Sequence, residues 1–254
     1  MEPSLMPDSK ISNMEKSPFG GKARLKQTLS ASHLNQLYLD KCGLDILRSL
    51  GNTMEVGLYE CQITGYQFWR PAHIAGDEQF YAEISKNWEN YYREERWEYA
   101  SARKLVKTGT RVLEIGCGRG FFLRSIENRV TNSLGLELNG NAIKEKVTNI
   151  ELRSNQASEL LSSHREYFDT ICLFQVLEHI ADPFKLLSDA LRLLKPGGML
   201  LISTPNQEFP PFAAMEDAFD LPPHHVGHFT ASTYSRLQSV LPIKLCSISK
   251  DIRS

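Results

Sequence analysis

Residues 112–120, VLEIGCGRG, run an apolar strand through the acid Glu114 into a loop with glycines at 116, 118 and 120. A backbone that bends sharply and lies against another molecule favours glycine, which has no Cβ to hold ligand atoms away. The following FFLRSIENRV (121–130) has helical spacing. The loop therefore delivers the chain to a helix N-terminus, whose free N–H groups suit polar or anionic ligand atoms. Strand, glycine loop and helix in this order make a nucleotide-type site. The dinucleotide fingerprint G-x-G-x-x-G needs a third glycine where this chain has Phe121, so a hydride-transfer cofactor is disfavoured.

Downstream, the pattern repeats in alternation. The stretch SLGLEL (133–138) reads as a strand ending near the acid Glu137, and NIELR (149–153) as the next strand. Residues 170–174 and 199–204 read as two further buried strands, the last entered through the Pro-Gly-Gly turn at 196–198. Between them, DPFKLLSDALRLLK (182–195) has Asp182 in capping position, Pro183 at the first helical position and Lys195 near the far end. Alternating strands and helices imply an α/β, doubly wound, mostly parallel sheet covered on both faces. In such sheets the ligand lies beyond the carboxyl ends of the strands, where the strand order reverses.

VLEIGCGRG, LGLELN, FDTICLFQVLEHIADP and LKPGGMLLISTPN, in this order and spacing, resemble the motif series of class I S-adenosylmethionine-dependent methyltransferases. The resemblance covers about residues 90–245, and QVLEHIADP with PPHHVGHFT (222–230) resembles bacterial small-molecule enzymes, including those associated with modified sugars and surface glycans. It implies a Rossmann-like fold with S-adenosylmethionine as cofactor. It also implies that Glu137 binds the ribose hydroxyls, Leu138 packs on adenine, and Glu114 holds the cofactor's amino group directly or through water. Gly116, Cys117, Gly118 and Gly120 would pass under the methionine portion and ribose. Gln156 and Ala157 correspond to the adenine-edge loop, and Phe174 and Gln175 face the amino acid end. A carboxylate suits the ribose role because, ionised, it offers two acceptor oxygens and no donor. The aromatic run Trp88, Tyr91, Tyr92, Trp97 and Tyr99 reads as one helix packing into the core, with Tyr91 or Tyr92 closing over the cofactor as the sharper alternative.

Methyl transfer from a sulfonium is an in-line displacement, so alignment in a dry pocket supplies much of the acceleration. A hydroxyl acceptor needs a group to take its proton, and histidine titrates near neutrality. His179, His225 and His228 are the candidates, with His224 beside them. Some O-methyltransferases of ubiquinone-type pathways, which this segment resembles, hold a divalent cation through two acids and a histidine in E-V-x-E-H. Here Gln175 replaces the first acid, and Glu178 with His179 alone make a poor cage for an oxygen-seeking ion, so no metal is expected.

The chain has 254 residues, 41% of them apolar, and a net charge of −1. That suits a globular protein and gives no electrostatic case for nucleic acid. No apolar run reaches the roughly 18 residues of a membrane span, and no signal peptide is read, so a cytoplasmic protein acting on a small molecule, without a membrane, is expected. Five scattered cysteines without a C-x-x-C pair read as reduced thiols. Residues 1–25 read as a disordered tail, 26–75 as a small N-terminal cap, with LKQTLSASHLNQLYLDKCGLDILRSL (25–50) as one or two helices and YECQITGYQFWRP (59–71) as a hairpin, and 76–254 as the cofactor-binding domain. That hairpin resembles half of a zinc ribbon, with Thr64 in place of the second cysteine, so zinc is not expected there.

After the helix-like 228–241, LPIKLCSIS (241–249) reads as a sixth strand, leaving only KDIRS for the seventh strand of the family fold. The last strand is absent, or the chain is truncated, or a partner completes the sheet; an open edge would favour a homodimer. The function expected is methyl transfer to a small-molecule acceptor, such as a sugar or glycan precursor, with oxygen favoured. The alternative is a catalytically idle module of the same fold that binds cofactor or a partner.

Overall fold

The computed structural model describes residues 11–88, 91–206 and 217–250, and the chain divides into two units. One comprises residues up to Phe80 together with His179–Ala181 and Asn206–Ile248. Its elements begin with β1 (Met14–Lys16), β2 (Lys22–Ser30), α1 (Ala31–Cys42), α2 (Leu47–Leu50), β3 (Glu55–Cys61) and β4 (Gln67–Arg70). The other holds the chain's parallel strands. It contains most of α3 (Glu78–Asn87), then α4 (Trp97–Leu105), β5 (Arg111–Ile115), α5 (Phe121–Ile126), β6 (Asn132–Leu136), α6 (Gly140–Lys144), β7 (Glu151–Arg153), β8 (Phe168–Phe174), α7 (Pro183–Leu193) and β9 (Leu194–Ser203). The chain returns to the first unit for β10 (Gly227–His228) and α8 (Ala231–Leu237).

The second unit is the expected doubly wound sheet. Its order is β7-β6-β5-β8-β9, every pair parallel. The chain builds outward from β5 through β6 to β7, then jumps back to β8 on the other side, so the order reverses between β5 and β8. Glu114 pairs in register with Gly135 of β6 and Cys172 of β8, which puts it on the central strand beside that reversal. The core is aromatic: the Phe122 ring meets Phe174 edge-on at 4.9 Å and Tyr99 at 5.5 Å, with Val112, Leu123, Ile126 and Cys172 buried around them. Helix starts follow their caps: Asn139 Oδ1 accepts the N–H of Asn141 at 3.0 Å to open α6, and Asp182 Oδ1 accepts that of Lys185 at 3.0 Å to open α7. Residues 199–203 ladder onto β8 past an irregularity that contains the Pro-Gly-Gly turn.

The first unit departs from the expected helical cap. It is an antiparallel sheet in the order β1-β2-β3-β4-β10, carrying α1 and α2. The stretch read as helix from residue 25 is strand β2 until Ser30, because Ala23, Leu25, Gln27 and Leu29 turn inward at a period of two. Helix follows only where Ser30 Oγ caps α1 by accepting the His33 N–H at 3.2 Å. Residues 11–25, expected as part of a disordered tail, include β1 and the start of β2; residues 1–10 lie outside the described residues. The hairpin at 59–71 forms as β3 and β4, paired from Gly57↔Arg70 to Glu60↔Gln67. Its core is a ring cluster in which Tyr66 stacks on Phe68 at 5.7 Å and meets Phe229 at 4.7 Å.

Two other expectations are corrected. The run from Trp88 to Tyr99 is not one helix: α3 ends at Asn87, α4 starts at Trp97, and Tyr91 and Tyr92 lie on the connection. Residues 241–249 form no strand, and most of 242–249 is exposed. Its apolar alternation, Leu241, Ile243 and Leu245, stops at Ser247 and is too short to build a buried face, and Leu245 N–H donates instead to the Gln238 side chain at 2.8 Å. No helix among the described residues is long and apolar enough to cross a membrane.

Candidate cofactor site and a histidine cluster

The glycine loop is tied to the end of the neighbouring strand. Gly116 and Cys117 donate their N–H groups to the Leu136 carbonyl at 2.8 and 3.0 Å. Gly118 donates to Glu137 Oε2 at 2.9 Å, while Asn139 N–H donates to Oε1 of the same carboxylate at 2.8 Å. Burial pushes the Glu137 pKa up, opposed by backbone N–H groups at Asn139, Gly118 and Leu138. One acid thus fixes the loop while its remaining lone pairs stay available as acceptors. Gly116, Gly118 and Gly120 all have left-handed backbone, with φ of 73°, 54° and 83°. At Gly118 a Cβ would sit 2.8 Å from the Tyr92 ring, so glycine is required there twice over, by conformation and by space. Cys117 is buried in the core and reaches the site with its backbone.

Tyr92 lies over this loop. Its hydroxyl accepts from Asn139 Nδ2 at 2.9 Å, and the Arg119 guanidinium is 5.7 Å from its ring centre. Burial first, then the charge of Glu137, raises its pKa, so it stays a neutral phenol. Leu138, beside the clasped acid, is 54% exposed, an apolar side chain presented outward at the carboxyl edge of the sheet. Gln156 and Ala157 follow β7 at that edge: Ala157 is buried, and Gln156 is exposed with its N–H donating to Glu159 Oε1 at 3.1 Å. Phe174 ends β8 and packs into the core. Gln175 follows it at φ 56°, a conformation uncommon outside glycine, held by its N–H on the Ser203 carbonyl at 2.9 Å and its Nε2 on Ser203 Oγ at 3.3 Å.

Glu114 is the electrostatic centre of the site. It is 1% exposed, and among the described residues its Oε2 has no hydrogen-bond partner. Burial, then the Glu137 charge, pushes its pKa well above the usual carboxylate range, against the opposing charge of Arg96. A buried acceptor without a donor is costly unless another molecule supplies one. An ammonium group does that. The loop that a Cβ would fill, the orphaned oxygen of Glu114 and the acceptor lone pairs of Glu137 fit S-adenosylmethionine, whose amino group and ribose hydroxyls are donors. Sequence reading missed Arg96 and Asn139; Asn139 carried a signal, since an Asn two residues past a strand-end acid is a helix cap.

The candidate bases belong to the antiparallel unit, and the chain passes from one unit to the other between Glu178 and His179. β10 sets the later three, pairing His228 with Gln67 while Trp69 N–H donates to the Val226 carbonyl at 2.9 Å. His179 Nδ1–H donates to the His224 carbonyl at 2.7 Å, and His224 Nδ1–H to the Phe219 carbonyl at 2.8 Å. His225 Nδ1–H donates to Asp220 Oδ1 at 2.9 Å, and His228 Nε2–H to the Asp220 carbonyl at 3.1 Å. Carbonyl and carboxylate oxygens only accept, so the facing ring nitrogen carries the proton. Burial pushes the His224 pKa down to about 4. It also holds His225 well below its ordinary value, helped by the neighbouring imidazoles, and lowers His228. The His225–Asp220 contact is therefore a neutral imidazole donating to a carboxylate rather than an ion pair. Asp220 was missed because nothing in its local pattern marks it.

The profile of a methyltransferase domain family matches residues 87–238. A ubiquinone biosynthesis O-methyltransferase of Xanthomonas oryzae is 32% identical over 125 residues, 46% of this chain and 52% of that protein. One from Acinetobacter baylyi is 31% identical over 107 residues, 39% of this chain and 45% of that one. The chain thus spans about half the length of the curated relatives it matches. Among solved structures, the YcgJ protein of Bacillus subtilis superposes with a TM-score of 0.49 at 21% identity, over 56% of this chain and 66% of that one. A SAM-dependent methyltransferase of Archaeoglobus fulgidus gives 0.48 at 27% identity, with the same coverage. Parallel sheet, glycine loop and strand-end acids define the class I methyltransferase fold. The chain belongs to the methyltransferase domain family whose profile covers more than half of it.

Proposed function

We propose that this protein transfers a methyl group from S-adenosylmethionine to a hydroxyl of a small-molecule acceptor, with a sugar or glycan precursor as the acceptor class. The observation that carries the reading is the pair of strand-end acids. Glu137 clasps the glycine loop and keeps acceptor lone pairs for two ribose hydroxyls, and Glu114 holds a buried, partnerless oxygen suited to the amino group. When bound, the cofactor supplies an electrophilic methyl on a sulfonium. The chain's own part is to grip the cofactor through Glu114, Glu137 and the backbone of 116–120, to present Leu138 to the adenine, and to cover the loop with Tyr92. Phe174, Gln175, Gln156 and Ala157 shape the same carboxyl edge.

A neutral imidazole would take the proton of the acceptor hydroxyl as its oxygen gains the methyl and the methyl–sulfur bond breaks, leaving S-adenosylhomocysteine. The lowered pKa values of His225 and His228 keep both unprotonated at neutral pH, as a proton acceptor must be. His179, His225 and His228 are the residues proposed for this step. The relatives named ubiquinone biosynthesis O-methyltransferase support oxygen as the acceptor atom.

Titration calorimetry with S-adenosylhomocysteine and with NADH tests the cofactor, and turnover to S-adenosylhomocysteine with sugar and phenol panels tests the acceptor. Heat with the first ligand alone and product only with hydroxyl acceptors is the expected result. Binding without turnover on any acceptor would leave the idle-module reading; binding of NADH instead would end the proposal.

A further inference from the structure

His179, His224 and His225 bring ligand nitrogens to within 4.8 Å of one another, inside a single unit of the chain. The rings of His224 and His225 stack at 4.4 Å between centroids, and His179 meets them edge-on at 4.6 and 4.8 Å. In all three, Nδ1 carries the proton, because it faces the His224 carbonyl, the Phe219 carbonyl or the Asp220 carboxylate at 2.7, 2.8 and 2.9 Å. Each lone pair therefore resides on Nε2. Metal-ligating histidines show this arrangement, with the outer N–H fixed on a carbonyl or carboxylate that sets tautomer and ring orientation. Ordinary packing of buried rings requires no such threefold agreement.

We propose that His179, His224 and His225 bind one divalent transition metal ion of the zinc and cobalt class. An all-imidazole donor set selects such ions over magnesium and calcium, which take oxygen ligands. Zinc–nitrogen bonds of about 2.0–2.1 Å place tetrahedral ligand nitrogens roughly 3.3 Å apart. Nitrogens no more than 4.8 Å apart reach that spacing by closing at most about 1.5 Å, a movement that side-chain torsions supply. Three protein ligands leave a fourth position open, the pattern of a site that takes an exchangeable ligand rather than of a closed structural one. Asp220 orients His225 from outside the ligand set, and His228 is excluded from it, since its Nε2 bears the proton donated to the Asp220 carbonyl; an ion on the Nε2 atoms of His179 and His225 takes their only lone pairs, so with metal bound His228, of the three histidines proposed to accept the hydroxyl proton, alone can do so. The Glu178–His179 pair weighed from sequence is not this donor set; His224 and His225 become partners of His179 only through the path of the chain before β10.

Untagged full-length protein, stripped with a chelator, is titrated with zinc, cobalt and magnesium chlorides. One equivalent of zinc should bind and raise Tm, cobalt should give the visible absorption of a four-coordinate ion, and magnesium should do neither. His179→Ala and His225→Ala should each weaken zinc binding at least tenfold, Asp220→Asn roughly tenfold or more, and exposed His33→Ala not at all. Zinc binding that survives both ligand variants overturns the proposal. Should a variant fail to fold, the unmodified protein decides: absence of both the cobalt spectrum and the zinc-dependent Tm rise is equally fatal. S-adenosylhomocysteine is titrated into the same samples. Because no residue assigned to the cofactor belongs to the cluster, retained cofactor binding beside a null metal titration removes the metal and leaves the methyl-transfer reading standing.

Discussion

Glu137 accepts the backbone N–H of Gly118 across 2.9 Å, joining the acid that ends one strand to the loop that ends its neighbour. The side chain proposed to bind ribose is thus also the strut of the glycine loop. Glu137→Ala should lower affinity for S-adenosylhomocysteine tenfold or more, equivalent to about 1.4 kcal/mol or above. Calorimetry reads it directly, and an unchanged dissociation constant removes Glu137 from the site.

The same loop gives a steric test. Gly118→Ala puts a Cβ against the Tyr92 ring in left-handed backbone, at φ 54°. The conformation alone costs roughly 1–2 kcal/mol, and the clash adds to it. In urea titrations the substitution should destabilise the protein by at least that amount, and Tyr92→Ala in the same chain should return the steric part only. Full recovery in the double variant would show that the backbone conformation carries no cost.

What the sequence revealed follows from the reach of each signal. The loop at 116–120, the acids 114 and 137 and the strands around them are marked by patterns complete within some ten residues, and each stands where the pattern put it. β2 was read as helix because Leu25 and Leu29, at i and i+4, satisfy both periods; only pairing with β3 settled it. The four histidines were legible as candidate bases, but the contact of His179 with His224 and His225 was not, for a different reason. His179 meets His224 because a segment far along the chain pairs with β4, and no local periodicity encodes that pairing.

Phe122 links the core to the site. It is fully buried, and its ring bridges Tyr99 of α4 and Phe174, which ends β8 beside Gln175. Phe122→Ala should cost about 3–5 kcal/mol in stability, the range for a deleted core aromatic. Denaturant midpoints check this, and a loss below about 1 kcal/mol would mean that the cluster refills the space.

Glu114 sets a pH dependence of unusual sign. Its folded pKa lies well above the ordinary carboxylate value because of burial, then the Glu137 charge. A raised pKa means that the native state binds the proton more tightly than the unfolded chain. The associated stability is complete below the unfolded value and is lost as pH rises through the folded one. Without cofactor, Glu114→Gln, which keeps the shape and discards the charge, should therefore raise Tm at pH 8 more than at pH 5. The same substitution should weaken binding of S-adenosylhomocysteine, because the carboxylate that meets the ligand's ammonium is gone. The two readouts move in opposite directions only if one buried charge both burdens the fold and holds the ligand. A Tm gain equal at both pH values, with unaltered affinity, would show that the folded pKa of the acid is not raised and that the acid takes no part in binding.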